Sequence, residues 1–208
     1  MERSIAIRLK GDKEISFCNT EEFQRIFHVK YLPTLQFQPV TLHEKAMKNI
    51  PWLLRYTPLG QEHRELGILY REQLIAGQVA NVAIEWIDDE IGYGLFARVD
   101  LPPQSFVGEY TGIVRQIMRL YPDLNGYCIH YPTKFFSYNY LLIDAQRAGN
   151  EMRFVNHSDD PNLKPMCIID SGLQHIVFFT TKPVACGQQL TFNYGSDYWR
   201  NRFKIDFT

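Results

Sequence analysis

From residue 82 onward the chain runs in short stretches rich in Val, Ile, Tyr and Phe, at 82–87, 105–109, 138–143 and 176–180, each closed by Gly, Pro or a polar turn. Stretches this brief, in residue types favoured on a pleated surface, predict short strands. No long helical segments alternate with them, which excludes a doubly wound parallel sheet and points to small β-sheets folded on one another. A mainly β (α+β) domain over residues 80–196 follows, with residues 197–208 as an aromatic C-terminal segment. The texture changes at 77–81, the expected boundary.

Residues 1–79 read as a mainly helical N-terminal region after a short extended start at 5–9. Thr41-Leu42-His43-Glu44 has the capping-box pattern and starts a helix, which Pro51 ends or kinks. Thr57-Pro58 offers an N-cap followed by proline at the first helical position. Leu66, Leu69, Tyr70 and Leu74 then recur at helical spacing, as an apolar stripe packed on the next domain would.

With 208 residues, 45% of them hydrophobic, the chain can bury one core and a small accessory lobe. A net charge of −1 argues against holding nucleic acid through phosphate neutralisation. The apolar runs are too short to span a bilayer, and residues 1–14 lack a continuous apolar core of the Sec type, so a soluble chain without a membrane partner is expected. Cys18, Cys128, Cys167 and Cys186 are scattered, which predicts reduced thiols, no disulfide and no metal site.

Four segments carry the chemistry: Ile91-Gly92-Tyr93-Gly94-Leu95-Phe96-Ala97; Gly108-Glu109-Tyr110-Thr111-Gly112; Arg153-Phe154-Val155-Asn156-His157-Ser158 followed by Asp159-Asp160-Pro161-Asn162; and Leu190-Thr191-Phe192-Asn193-Tyr194-Gly195. Singly they are weak. A pair of glycines most often marks a turn. Asn156-His157-Ser158 also spells a glycosylation acceptor, and His157 with Asp159 and Asp160 a metal cluster, but neither a secretion signal nor regularly spaced ligands accompany them.

Taken together and in this order, the four segments resemble the signature of SET-domain protein-lysine methyltransferases, over roughly residues 82–199. The resemblance implies small curled β-sheets with a knot-like C-terminal crossing of the Asn156 and Tyr194 segments. It implies S-adenosyl-L-methionine as methyl donor, leaving as S-adenosyl-L-homocysteine, with Gly92, Tyr93, Gly94, Asn156 and His157 on the cofactor. Tyr138 and Arg153 join that set, Arg153 being equally suited to a structural ion pair. Trp199 serves either as a stacking platform for adenine or as an apolar anchor for the tail. Tyr194 matches the catalytic tyrosine. Tyr110 and Phe192 act beside it, and Tyr110, Tyr140, Phe192 and Tyr198 line a passage for the target lysine, where aromatic faces suit an alkyl-ammonium chain.

At pH 7.4 a free lysine of pKa ≈ 10.4 is only about 0.1% neutral, a deprotonation cost of roughly 4 kcal/mol. An aromatic passage ending at a positive sulfonium lowers that cost by desolvation and like-charge repulsion, without a dedicated base. Phe192 stands where, in the family, Tyr restricts products to monomethyl-lysine, so di- and trimethylation are expected. Histone-directed relatives often have Cys after the Asn-His-Ser step, a zinc ligand with a cysteine-rich tail; Asp159 stands there, and the passage must be closed by the 197–208 segment instead.

Within the family, Val107-Gly108-Glu109-Tyr110-Thr111-Gly112, the 156–162 run and the closing Tyr194-Gly195-Ser196-Asp197-Tyr198-Trp199 look like the compact SET proteins of chlamydiae. That likeness implies a histone or bacterial histone-like basic protein as partner, and a location in the bacterial cytoplasm or, for an effector, in the host cell and nucleus. The apolar helical N-terminus packs on its own domain or on a second copy as a homodimer. Two rival readings stay open: a methyltransferase for a non-histone protein, and a SET-shaped binding module without turnover.

Overall fold

The computed structural model describes residues 3–48, 50, 54, 56–118, 125–132 and 139–196. Along the chain run β1 (Ile5–Arg8), β2 (Ser16–Cys18), α1 (Thr20–Phe27), β3 (Lys30–Tyr31), β4 (Gln36–Phe37), α2 (Leu42–Lys48), α3 (Pro58–Leu69) and α4 (Arg71–Ile75). Then come β5 (Val82–Asp88), β6 (Gly92–Ala97), β7 (Phe106–Glu109), β8 (Ile113–Met118), β9 (Cys128–Tyr131), β10 (Asn139–Asp144) and β11 (Ala148–Gly149). A 3-10 turn (Glu151–Phe154), β12 (Asn156–His157), β13 (Leu163–Asp170), β14 (Leu173–Thr180) and β15 (Gln189–Phe192) complete the order.

The strands form small sheets, as the texture of the sequence predicts. One has the order β12-β15-β6-β5-β1-β2, a second β4-β8-β10-β9, a third β13-β14-β7, and β11 pairs with β3. The stretches expected at 82–87, 105–109 and 138–143 are β5, β7 and β10. The stretch at 176–180 is the end of the longer β14, which forms a hairpin with β13 through Ser171 and Gly172, both at positive φ. Two central residues of that hand match the twist of the flanking strands.

The N-terminal region differs from its mainly helical expectation. Beside the helices, its described residues hold four short strands, three of which are built into sheets formed after residue 80: β1 lies parallel to β5, β3 to β11 and β4 to β8. Strands of two to four residues carry too little periodicity to register in the sequence, and long-range pairing alone defines them. Helix starts were more legible. The Thr57 side chain accepts from Gly60 N–H at 3.3 Å with Pro58 next, and α2 begins at Leu42.

Leu66, Tyr70 and Leu74 pack on Ile168, Val177 and Phe179 as the stripe predicts. Leu69 is 65% exposed instead. Here α3 ends and α4 restarts at Arg71, so the helical phase resets between the two. The main core joins all of this: Ile84, Leu95, Val107, Val114, Ile143, Phe178 and Leu190 are 0% exposed.

Helix α1 supports the first glycine turn from behind. It opens with a complete capping box: the Asn19 side chain accepts from Glu22 N–H at 2.9 Å, and the Glu22 carboxylate accepts from Asn19 N–H at 3.0 Å. The helix presents fully buried Phe23 to the core and sets Phe27 edge-on against Tyr93, centroids 5.2 Å apart. Replacing Asn19 by Ala is expected to cost about 1 kcal/mol of stability, seen as a lower urea midpoint with an unchanged slope; an unchanged midpoint would mean that α1 is held by packing alone.

Candidate active site

Three of the four signature segments converge because β15 lies between β12 and β6. Asn156 pairs with Thr191 and His157 with Phe192 in parallel register, while Leu190 pairs with Leu95 antiparallel. Buried polar bonds lock this junction. Tyr194 N–H donates to His157 Nδ1 at 3.1 Å, which leaves the ring proton on Nε2, 3.3 Å from Asp159 Oδ1. Ser158 N–H donates to Phe192 O at 3.2 Å. Asn162, 2% exposed, bridges the same strand from the other side: its Nδ2 donates to Gln189 O at 2.8 Å and its Oδ1 accepts from Thr191 N–H at 2.9 Å.

Around this junction lies an aromatic enclosure. Phe192, 9% exposed, packs on Phe178 and Tyr194 with centroids 4.8 and 4.7 Å away. The Tyr194 hydroxyl donates to Val155 O at 3.0 Å, and its ring also faces His157. Tyr110, from the remaining segment, is 4% exposed and donates its hydroxyl proton to Tyr127 O at 2.8 Å. Burial raises the Tyr110 pKa well above that of a free tyrosine, and Tyr194 is the next largest cause, so the two phenols are electrostatic neighbours. Tyr110 stays neutral at any working pH.

The glycine turn leads to the same place. Gly92 has φ 79°, with open space where a side chain would stand. A Cβ on Gly94 would fall 2.7 Å from Gln189 Nε2 and 3.2 Å from Asn156 Nδ2, so a side chain there would push the Asn156 and Gln189 amides from their places. Asn156 Nδ2 donates to Tyr93 O at 3.2 Å. The Tyr93 ring points away into a cluster with Trp86, Phe27 and Phe154, so Tyr93 offers the site its backbone.

Of the two roles open to Arg153, the structural ion pair is not formed among the described residues. Its Nε donates to Ala145 O at 2.9 Å and its guanidinium stacks 4.1 Å from the Tyr127 ring centroid, with no carboxylate partner among the described residues. Burial lowers its pKa from the ordinary arginine value. It braces the wall behind Tyr110. Tyr138, Tyr198 and Trp199 lie outside the described residues; the backbone of Tyr140 lies in β10, and its side chain is also outside them. Asn162 stood in the sequence within the 156–162 run, but only its burial between strands gives it a task. Tyr127 and Asp144 carried no local signal.

A glycine turn open at Gly92, an amide with donor and acceptor beside it, and a cluster of packed aromatic rings with two phenols suit a ligand with an amino-acid end and a reactive methyl. Comparison with known proteins agrees. A family model described as SET domain matches residues 92–195. Histone-lysine N-methyltransferase SETD2 of Homo sapiens is 38% identical over 112 residues, 52% of this chain and 4% of that protein. Histone-lysine N-methyltransferase EHMT1 of Homo sapiens is 31% identical over 121 residues, 56% of this chain and 9% of that protein. The chain thus spans under a tenth of the length of these curated relatives. Among solved structures, an active polycomb repressive complex 2 in the stimulated state superposes with TM-score 0.50 at 25% identity, covering 62% of this chain and 17% of that one.

Asn162→Ala removes both bonds and leaves Gln189 O and Thr191 N–H to find new partners inside the protein. A loss of roughly 2–4 kcal/mol in unfolding free energy is expected; wild-type stability would show that the β12–β15 junction does not depend on it.

Proposed function

The chain belongs to the SET-domain family, and from that premise we propose that it is an S-adenosylmethionine-dependent protein-lysine N-methyltransferase acting on histones or histone-like basic proteins. The observation that carries the reading is the meeting, at one strand junction, of the Gly92–Gly94 turn and Asn156 on one side with Tyr194, Tyr110 and Phe192 on the other.

Gly92, Gly94, the Tyr93 carbonyl and Asn156 would hold the donor. Bound there, it supplies a methyl on positive sulfur: an N–C bond forms as the C–S bond breaks, the electron pair returns to sulfur, and the lysine's proton leaves to solvent. Phe178, Phe192 and the Tyr110 and Tyr194 rings exclude water from the amine's end of the site, and this desolvation favours the neutral amine. Fixed walls hold the acceptor in line, which a bimolecular encounter in water lacks. The parallel pairing of β12 with β15 supports the knot-like crossing of these segments, which belongs to the same reading.

Phe192 supports di- and trimethylation. Its ring fills the wall beside Tyr194 with no hydroxyl to hold a water where a methylammonium must grow. The motif likeness to compact chlamydial SET proteins supports a basic chromatin protein as substrate and, for an effector, action in the host cell and nucleus.

The test is labelled methyl transfer to core histones and to a basic bacterial chromatin protein, with intact-mass readout. Wild type is expected to transfer two or three methyls, and Tyr194→Phe to lose roughly 10²-fold in rate. Cofactor binding without transfer to either substrate would favour a non-histone target or a module without turnover. In the same assay Phe192→Tyr is expected to shift products towards the monomethyl state; an unchanged product ladder would remove Phe192 from control of multiplicity.

A further inference from the structure

A phenol has one proton and two lone pairs. Both site tyrosines give that proton to a backbone carbonyl, Tyr110 to Tyr127 O and Tyr194 to Val155 O. Towards everything else they are acceptors only. A neutral amine nucleophile requires this: its N–H groups can be held by lone pairs while its own lone pair stays open for the methyl. A hydroxyl able to donate would engage that lone pair and compete with attack.

The two carbonyls are supported differently. Val155 is 2% exposed and its N–H is bonded to Met152 O, so the core fixes it. Tyr127 lies in the stretch leading to β9, and its side chain is 40% exposed. It needs an anchor, and Asp144 at the end of β10 supplies one. Asp144 Oδ1 accepts from Asn125 Nδ2 at 2.8 Å and from Gln146 N–H at 2.9 Å, and Oδ2 accepts from Arg115 Nε at 2.7 Å. Asn125 Oδ1 in turn accepts from Tyr127 N–H at 3.0 Å, and Ala145 N–H, next to Asp144, donates to Tyr127 O at 3.0 Å. Arg153, bonded to Ala145 O, covers the Tyr127 ring. One carboxylate therefore ties β8, β10 and the 125–127 stretch into the mount on which the Tyr127 carbonyl stands.

We propose that Asp144 is a positioning residue for lysine methylation: through Asn125 and the Tyr127 carbonyl it keeps the Tyr110 hydroxyl an acceptor towards the substrate amine. This rests on the methyltransferase reading. The hydrogen-bonded route runs through Asn125, Ala145 and Tyr127, since no described hydrogen bond joins Asp144 itself to Tyr110, Phe192 or Tyr194; the Asp144 charge also acts on Tyr110 directly, and amide exchange reads the hydrogen-bonded route alone.

The test is a double-mutant cycle of Asp144→Asn with Tyr110→Phe, read by single-turnover transfer to a basic protein and by hydrogen exchange at the Ala145 and Tyr127 amides. Asn matches Asp in shape but turns a donor towards one of three donors. Expected are faster exchange at those amides in Asp144→Asn, an about tenfold slower transfer at unchanged S-adenosylhomocysteine affinity, and no further loss when Tyr110 is already Phe. Unchanged exchange, or the same fold loss in both Tyr110 backgrounds, would overturn the proposal, because a merely structural role is additive. Wild type that transfers no methyl would instead sink the methyltransferase reading, and the exchange data would still show whether Asp144 anchors Tyr127.

Discussion

The site depends on a two-residue parallel pairing. Asn156 and His157 lie beside Thr191 and Phe192, and the Tyr194 N–H reaches His157 Nδ1. Each such bond contributes only about 1 kcal/mol net. Its importance lies in geometry, because a slip of one residue would turn every side chain of β15 to the wrong face. Asn162 closes off that slip by gripping the strand at Gln189 and Thr191 at once. With the register fixed, Tyr194, Phe192 and the Asn156 amide have no freedom to drift apart.

Support for this junction comes from far along the chain. The capped helix α1 sets Phe27 against Tyr93, whose carbonyl accepts from Asn156. Strand β1 backs β5, which backs β6. The N-terminal strands β1–β4 are therefore structural members of the small sheets around the site. The Tyr110 wall is mounted separately, on the four-stranded sheet, through Asp144 and Arg153. The site is thus assembled from three sheets whose relative placement is set by the shared core of Ile84, Val107, Ile143 and Phe178.

Much of this was legible in the sequence. Short β-rich runs gave the strands β5, β7 and β10 nearly to the residue, because burial on a pleated surface leaves a local trace. The four ordered segments pointed to Gly94, Asn156, Tyr110, Phe192 and Tyr194; the pairings of β15 bring together all of these but Tyr110, which reaches the cluster from the end of β7. Less was legible where the determinant is a distant partner. Strands β2, β3 and β4 are too short to have a period. Leu69 looked like a core position because nothing local announces the break before Arg71. Arg153 looked suited to a structural ion pair, yet among the described residues it stacks on Tyr127 and bonds to the carbonyl of Ala145, which the chain brings from elsewhere. Asp144 reads locally as an ordinary strand end.

The order of strands in the largest sheet also constrains the route by which the protein is made. Strand β15, the last to leave the ribosome among those described, belongs in the interior of that sheet, between β6 and β12. Until it emerges, the edges of β6 and β12 have unpaired N–H and C=O groups and no common neighbour. A sheet completed from its middle cannot mature one strand at a time from the N-terminus, and contacts of such large sequence separation close slowly. Tyr194, two residues beyond β15, arrives with the strand that joins β6 to β12, so among the described residues the nascent chain acquires its candidate site and its largest sheet in a single late event.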